Sequence, residues 1–350
     1  MKLPSKGKNR KAEIQEFADE MKKLTHRVGM KISARGWCYI MEGFNLITKA
    51  QFDVVEKLIN DGCRRKGMLP IDFVAQEEAR RFSGVEHPDT ESPAMYMQSC
   101  LNMALNAGNY YTPDWWEGEQ YYVQMLVEKI DLKTLFKPVC QKFHIPIATG
   151  SGWQSMLQRA EYGRRFKKAK AIGLKCVLLY CGDHDPDGSR ISDKLRKNLE
   201  DLSNINWADD TAGYNPELLD IKRFGLNYDF IIANKLTWID NLITARRNRD
   251  GSVRDLADPS HPNHYLPYVQ DYLKKYGPRK CEANSLIIKP DESRTLCRQA
   301  IEEYLGNDAE ARFREKRERV KQTFEEFKDR TGLNESIQKA ISLIEEEEKD

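Results

Sequence analysis

Residues 175–188 have the sequence KCVLLYCGDHDPDG. The first seven residues are mostly apolar, which is typical of a central strand in a parallel sheet. Asp183 and Asp185 alternate directly after this strand, Pro186 stiffens the turn, and Gly188 allows backbone conformations closed to other residues. Because parallel sheets place their active sites at the carboxyl ends of their strands, this stretch predicts an α/β domain with an acidic site.

The flanking sequence repeats the same alternation of strands and helices. Apolar patterning predicts strands at residues 121–127, 145–148, 175–181 and 219–224. Helical spacing predicts helices at residues 132–143, 154–170 and 189–202. A β-α-β-α-β-α-β order predicts a parallel sheet covered by helices.

A third carboxylate, Glu128, ends the predicted strand 121–127. If that strand neighbours strand 175–181, Glu128 lies beside Asp183 and Asp185. Three carboxylates around one point repel each other unless a cation is bound. We therefore expect Glu128, Asp183 and Asp185 to bind a divalent metal.

Three other interpretations of the acidic motif are an EF-hand loop, a phosphatase site and a purely structural turn. An EF-hand loop also begins D-x-D-x-D-G, but its twelfth position would be Lys194, where a bidentate Glu is needed. An aspartyl-nucleophile phosphatase gives Glu128 no role. The purely structural alternative is that the aspartates cap a helix and a tight turn.

The N-terminal third is predicted to be helical. Residues 11–29 carry one apolar stripe, and a second helix begins near Thr48, where Gln51 completes a capping-box pattern. That helix ends in basic residues 64–66, and residues 68–73 are predicted to form a short strand. This order suits a winged-helix-like DNA-binding module, with an ordinary helical subdomain as the alternative.

Length and linker composition divide the chain into three predicted parts. The 350 residues exceed what one core usually organises, and residues 86–93 and 108–118 have linker character. The predicted parts are a helical DNA-binding domain (1–110), an α/β metal-binding domain with a C-terminal elaboration (111–305) and a charged helical tail (306–350).

Five segments together resemble the Toprim domain region of the topoisomerase VI A subunit and its meiotic double-strand-break relatives. They are residues 127–129 (VEK), 149–152 (TGSG) with Arg159 downstream, 183–188 (DHDPDG), 223–226 (RFGL) and 280–283 (KCEA). The resemblance covers about two thirds of the chain. It implies Mg²⁺ or Mn²⁺ on Glu128, Asp183 and Asp185, double-stranded DNA as substrate, and a homodimer.

The same resemblance implies a tyrosine nucleophile in the N-terminal domain, four residues after an arginine. Residues 33–39 (SARGWCY) fit that arrangement with Arg35 and Tyr39. On a helix these two side chains share a face, so the guanidinium could hold the phosphate that the phenolate attacks. Gly36 weakens a helix, and Cys38 stands where the family commonly has an aromatic residue. A half-buried structural tyrosine is the alternative.

Composition limits where the protein is expected in the cell and which partners it is expected to bind. The net charge of +2 gives no indication of a nucleic-acid partner. Any DNA contacts are therefore expected at local basic clusters, at residues 64–66, 164–170 and 246–249. Eight cysteines without a CxxC pair predict a reducing cytoplasm and no zinc site, and no apolar run is long enough to cross a membrane. Without a G-x-x-x-x-G-K-[ST] loop, any ATP turnover should come from a separate ATPase subunit.

The resulting hypothesis is metal-dependent DNA strand cleavage by tyrosine transesterification, as in a topoisomerase VI A subunit. One alternative is a Toprim hydrolytic nuclease that uses a metal-activated water. Another is a non-catalytic DNA-binding subunit.

Overall fold

The computed structural model describes residues 3–5, 7–75, 84, 91–150, 155–209, 211–247 and 253–347. Its α-helices are α1 (Arg10–Val28), α2 (Ala34–Gly43), α3 (Phe52–Lys57), α4 (Pro93–Leu105), α5 (Ala107–Tyr110), α6 (Ile130–Lys142), α7 (Met156–Ala171), α8 (Ile191–Glu200), α9 (Tyr228–Ala233), α10 (Pro267–Tyr276), α11 (Pro290–Leu305), α12 (Ala309–Thr331) and α13 (Leu333–Glu347). Its strands are β1 (Tyr121–Val127), β2 (Ile147–Thr149), β3 (Lys175–Cys181), β4 (Asp220–Gly225), β5 (Ile243–Arg247) and β6 (Val253–Asp255).

Contacts group the chain into two compact units, whose limits differ from those of the predicted domains. The first unit combines Met1–Glu77 with Glu119–Leu305, and the second combines Glu78–Gly118 with Gly306–Asp350. The N-terminal helices therefore share a unit with the α/β region, and the C-terminal helices share one with the segment around α4.

The predicted α/β architecture is confirmed at the level of class and strand direction. Strands β1 to β4 form one four-stranded parallel sheet in the order β2-β1-β3-β4. The two central strands, β1 and β3, are buried along nearly their whole length, which explains their uninterrupted apolar sequences. A separate antiparallel pair, β5 with β6, lies outside this sheet.

Helices α6 and α7 supply much of the apolar cover that the sheet requires. Leu132, Leu135 and Phe136 on α6 are fully buried, as is Phe166 on α7. Tyr162 on α7 donates its hydroxyl hydrogen to the Met125 carbonyl at 2.7 Å, which ties α7 to β1. The helical spacing in the sequence thus predicts the faces that the structure buries.

The N-terminal helices follow the predicted pattern. Helix α1 buries one stripe and ends at Gly29, whose φ of 68° is the left-handed conformation that favours glycine. At the 3₁₀ turn Lys49–Gln51, which leads into α3, the Gln51 side chain accepts the Thr48 backbone N–H at 2.8 Å, so the capping box is present.

The predicted strand at residues 68–73 is wrong. The segment forms turns instead: the Phe73 N–H donates to the Pro70 carbonyl at 3.1 Å, and the Arg64 Nε donates to the Ile71 carbonyl at 2.9 Å. Pro70 has no N–H to give to a strand partner. No strand forms anywhere in residues 3–5 and 7–75, so the wing of the expected winged helix is absent from the described N-terminal part.

Helix α2, which carries Arg35 and Tyr39, begins against the start of α6. Ser33 caps α2 by accepting the Gly36 N–H at 2.9 Å, and the Ser33 N–H donates to Asp131 Oδ1 at 3.0 Å. A Cβ at position 36 would lie 2.2 Å from Asp131 Oδ2. Gly36 therefore permits the close approach of Asp131 to α2, although glycine has a low helix propensity.

In the described residues of the second unit, α4 packs against α13 and α5 against α12. The Phe313 ring on α12 lies 4.4 Å from the Trp115 ring, and Phe324 lies 5.5 Å from Tyr111. The Lys328 Nζ donates to the Leu105 carbonyl at 2.6 Å. Phe313 and Phe324 thus give an otherwise charged helix apolar contacts with Trp115 and Tyr111.

All eight cysteines are described and free, and seven of them are buried. Among the described residues, no helix combines the length and apolar character needed to cross a bilayer.

Gly36→Ala should destabilise the protein by about 1–3 kcal/mol, because the added methyl group overlaps the buried Asp131 carboxylate. In an Asp131→Ala background the methyl group has room, so the same substitution should cost less. Denaturant unfolding of the four proteins in this cycle measures the difference. An equal cost in both backgrounds would contradict the packing described here.

Candidate functional site

The carboxyl ends of β1 and β3 lie side by side. Val127 pairs with Cys181, and the Glu128 N–H donates to the Cys181 carbonyl at 2.9 Å. The Asp183 N–H in turn donates to Glu128 Oε2 at 2.8 Å. Two of the three predicted acidic residues are therefore in direct contact.

Asp185 lies in the loop that leads to α8. Its Oδ1 accepts the Gly188 N–H at 2.5 Å, a turn contact that the structural alternative also predicts. Arg223 on β4 fixes this loop by donating to the Gly188 carbonyl at 2.6 Å and to the Asp183 carbonyl at 2.8 Å. The loop is thus held by its own turn and by Arg223, and the His184 backbone also pairs with that of Cys281.

A lysine next in sequence to Glu128 lies among the acidic groups. The Lys129 Nζ is 3.0 Å from Asp183 Oδ2, 2.9 Å from Glu282 Oε2 and 3.6 Å from Glu128 Oε1. The Asp183 Oδ1 accepts the Ala283 N–H at 2.7 Å. The segment after α10 therefore packs against the acidic edge, by which we mean Glu128, Asp183 and Asp185 at the carboxyl ends of β1 and β3. It adds a fourth carboxylate, Glu282.

Glu282 is buried and paired with three lysines. Besides Lys129, the Lys49 Nζ lies 3.0 Å and the Lys280 Nζ 3.4 Å from its Oε1. Burial alone would raise the pKa of Glu282, but these three positive charges, led by Lys129, hold the pKa well below its ordinary value. Glu282 is thus a carboxylate that the surrounding cations keep ionised.

The two aspartates show the opposite behaviour. Burial, followed by the charge of Glu282, raises the pKa of Asp183 well above its ordinary value, although Lys129 opposes the shift. Burial also raises the pKa of Asp185, although the Gly188 N–H opposes it. The charge on these two carboxyls is only partly compensated by the protein.

The Tyr39 ring lies beside this charged cluster. The Lys129 Nζ is 5.2 Å and the Lys49 Nζ 5.6 Å from the ring centroid, and Phe52 packs edge-on at 5.0 Å. Tyr39 is half-buried. The structure therefore places Tyr39 beside Lys129, which in turn contacts Asp183 and Glu128.

Arg35 lies one turn before Tyr39 on α2 and is about half exposed. Its Nη1 donates to Glu56 Oε1 at 2.9 Å and lies 3.9 Å from Asp53 Oδ1. Burial acts to lower the pKa of Arg35, but interactions with Tyr39 and Glu56 hold it above its ordinary value. Arg35 is therefore within reach of Tyr39 while it is engaged by carboxylates of its own subdomain.

Glu128, Asp183 and Asp185 offer carboxylate oxygens at one edge of the sheet, and these are the ligand atoms that hard cations prefer. Within the described residues, however, no three His, Cys, Asp or Glu side chains are arranged to hold a metal ion. The Lys129 ammonium lies between Asp183 and Glu282, and Asp185 is turned toward Gly188.

Arg159 and two of the predicted basic clusters make contacts within the protein, and residues 248–249 of the third cluster lie outside the described residues. Arg159 donates to the Asn198 carbonyl at 3.3 Å, and residues 151–152 of the TGSG segment lie outside the described residues. In the basic clusters, Arg164 pairs with Asp209 at 2.5 Å and Arg65 with Asp61 at 3.1 Å. These arginines already have carboxylate partners, as in a solvated helix face.

Lys129 and Glu282 are site residues that the sequence motifs did not predict. Glu282 follows Lys129 by 153 positions, so no local spacing could connect them. The only signal was that both fall in segments that resemble the same family.

Comparisons with protein-family models, with curated proteins and with solved structures find no match for this chain. The resemblance to the topoisomerase VI A family stays a prediction from the motifs.

Substitution of Glu282 and of Asp183 should have opposite effects on stability in metal-free buffer. Since its folded pKa is lowered, Glu282 stabilises the protein above its ordinary pKa of 4.5, and this contribution is lost as the pH falls through the folded value. Glu282→Gln should therefore cost about 3 kcal/mol at pH 7, and the deficit should shrink in acid.

Asp183 has a raised folded pKa, so its stabilising contribution is present in acid and lost as the pH rises through that value. Asp183→Asn should gain stability relative to wild type between pH 4 and pH 8. Denaturant unfolding across this range measures both trends, with the exposed Glu292→Gln as control. Parallel pH profiles for the Glu282 and Asp183 variants would refute the charge arrangement.

Proposed function

We propose that this protein cleaves double-stranded DNA by tyrosine transesterification, as a topoisomerase VI A-like subunit. The observation that supports it best is a chain of contacts within one compact unit. The Tyr39 ring contacts Lys129, and Lys129 contacts Asp183 at the carboxyl end of β3. A nucleophile candidate and an acidic sheet edge thus lie next to each other.

In the proposed reaction the Tyr39 phenolic oxygen forms a bond to a phosphorus of the DNA backbone. The bond from that phosphorus to the 3′ oxygen breaks, and the proton lost by Tyr39 is regained at the 3′ oxygen. The products are a 5′ phosphotyrosine linkage and a free 3′ hydroxyl, so no water is consumed in this step.

Positive charge around Tyr39 supports the proposal that a phosphate binds there. Arg35, Lys49 and Lys129 approach the ring or interact with the side chain. Ammonium and guanidinium groups neutralise a phosphodiester and hold it for attack. The same groups would stabilise negative charge on the attacking phenolic oxygen.

Glu128, Asp183 and Asp185 would hold Mg²⁺ or Mn²⁺ in the working enzyme. Such a cation would stabilise negative charge on the scissile phosphate and the leaving oxygen. The raised pKa values of Asp183 and Asp185 support this assignment, because they show carboxyls whose charge the protein only partly compensates.

The proposed function also implies a domain architecture, a dimer and a partner subunit. The parallel sheet would be a Toprim domain, and α1 to α3 would form a helical DNA-binding region. Two copies would pair on DNA in the cytoplasm, and a separate subunit would supply ATP turnover, since the chain has no P-loop.

Tyr39→Phe should abolish both strand cleavage and covalent protein–DNA adducts. The substitution removes one oxygen and keeps the ring that packs on Phe52, so folding should barely change. The assay incubates wild type and variant with supercoiled DNA and Mg²⁺ or Mn²⁺, together with any ATPase partner. Denaturation with detergent then reveals protein-linked ends.

The matched control is Tyr268→Phe, since Tyr268 donates to Asp187 at 3.3 Å in the neighbouring loop. Asp183→Ala should also abolish cleavage. Full cleavage by Tyr39→Phe without adducts would favour the hydrolytic nuclease that uses water. DNA binding without any cleavage in wild type would favour the non-catalytic subunit.

A further inference from the structure

We infer that two copies of this chain pair through the outer face of helix α4, which we define as Tyr96, Ser99, Cys100 and Met103. The inference names a surface for the homodimer that the proposed function implies, and to that extent it rests on the proposed function. The observations that support it belong to the second compact unit alone. They involve neither the acidic edge nor a bound metal.

Helix α4 has no charged residue, although it is exposed. Its sequence, PAMYMQSCLNMAL, contains no Asp, Glu, Lys or Arg. All thirteen residues are described, and none of them is buried. A helix on a protein surface normally has charged and polar residues on the side that faces water, and a helix that is apolar on several sides is normally covered. The composition of α4 therefore indicates that a partner covers it.

The two sides of α4 differ in exposure. The partly buried residues recur at helical spacing, and they are Ala94, Gln98, Leu101 and Leu105. They form the side on which α4 meets its own unit, where it packs against α13. Tyr96, Cys100 and Met103 follow each other at steps of four and three residues on the opposite side. Tyr96 and Met103 are each about half exposed, and Cys100 is exposed. The outer face is thus the side of α4 that its own unit leaves open.

The outer face has the same pattern when it is followed in either direction. A large residue, Tyr96, is followed after three positions by two adjacent small residues, Ser99 and Cys100, and after three more by the large Met103. Two antiparallel copies related by a two-fold axis between positions 99 and 100 would place each Tyr96 against Met103 of the other copy. The small residues at the crossing would let the two helices approach. A two-fold interface must match itself, so this pattern favours a second copy as the occupant.

Charge and area are both consistent with a reversible dimer. An uncharged face brings no like charges together when it docks on a copy of itself. Six large apolar side chains in and next to α4 and α5 are about half exposed or more: Met95, Tyr96, Met97, Met103, Tyr110 and Tyr111. Half of a side chain of this size is about 100 Å², so a dimer would bury on the order of 1,200 Å² in total. This is the lower limit for stable, specific interfaces, and we expect a dissociation constant on the order of micromolar.

The first test is sedimentation equilibrium of the full chain without DNA or metal. Wild type should shift from monomer to dimer as its concentration rises. Met103→Glu should weaken the dimer by at least about tenfold, because docking would bury an unpaired carboxylate. Position 103 is exposed in the single chain, so folding should barely change. Leu218→Glu is the matched control, because it adds the same charge at an exposed leucine of the first unit and should leave the dimer unchanged.

A charge-pair variant tests the symmetric arrangement itself. Tyr96→Lys alone should also weaken the dimer. The double variant with Tyr96→Lys and Met103→Glu should recover it, since each lysine would meet a glutamate of the other copy. Within one helix the two positions are seven residues and about 10 Å apart along the axis, so they do not pair with each other.

Cys100 allows the contact to be trapped. All eight cysteines are described, and Cys100 is the exposed one among them. Helices packed about 8–10 Å apart bring residues at their crossing within reach of a disulfide. Diamide should therefore join two chains through Cys100: each thiol gives up its hydrogen, an S–S bond forms, and diamide is reduced to the hydrazine. Cys100→Ser should abolish the link, and adding Asn102→Cys to it turns the thiol away from the outer face and should not restore the link.

A wild-type chain that stays monomeric at every concentration would overturn the inference. So would a dimer that Met103→Glu leaves intact, a double variant that does not recover, or equal linking through position 102. Slow maleimide labelling of Cys100 in the monomer would show that the chain covers α4 itself, which also contradicts pairing. Failure of the proposed reaction gives a different result: if Tyr39→Phe still cleaves DNA, the dimer and its response to the α4 variants are unaffected.

Discussion

In-register pairing of β1 with β3 determines where the groups of the candidate site lie. Because Val127 is opposite Cys181, both strands end at the same level, and their next residues leave the sheet side by side. Glu128 and Asp183 are consequently joined by a hydrogen bond rather than separated by a strand width. A shift of one residue would turn Glu128 to the other face of the sheet and disperse the site.

The second constraint is charge balance in a poorly solvated place. Glu282, with three lysines, is strongly compensated, whereas Asp183 shares one ammonium with its neighbours. Burying charge without full compensation costs stability, and functional sites are where proteins commonly accept that cost. The imbalance at Asp183 is an observation that supports the proposed cation.

Sequence patterns predicted the sheet well, because a buried parallel strand such as β3 has a continuous apolar run and the helices between strands have clear spacing. They also predicted that Glu128 lies near Asp183. The prediction of a strand at residues 68–73 was wrong, because apolar residues such as Leu69 and Phe73 are buried there within turns and the segment has no strand partner. Lys129 and Glu282 are far apart in the sequence and come into contact only in the folded chain. Helices α4 and α12 are also far apart in the sequence, so their membership of one compact unit could not be predicted.

The most direct test of the account is to locate the DNA linkage by mass spectrometry. Wild-type protein is incubated with DNA and Mg²⁺ or Mn²⁺, denatured, treated with nuclease and protease, and its peptides are analysed for an added nucleotide. The account predicts a 5′ phosphodeoxynucleotide on the peptide that contains Tyr39, attached to the phenolic oxygen. Cleaved DNA with an unmodified Tyr39 peptide, or a nucleotide on another residue, would contradict it.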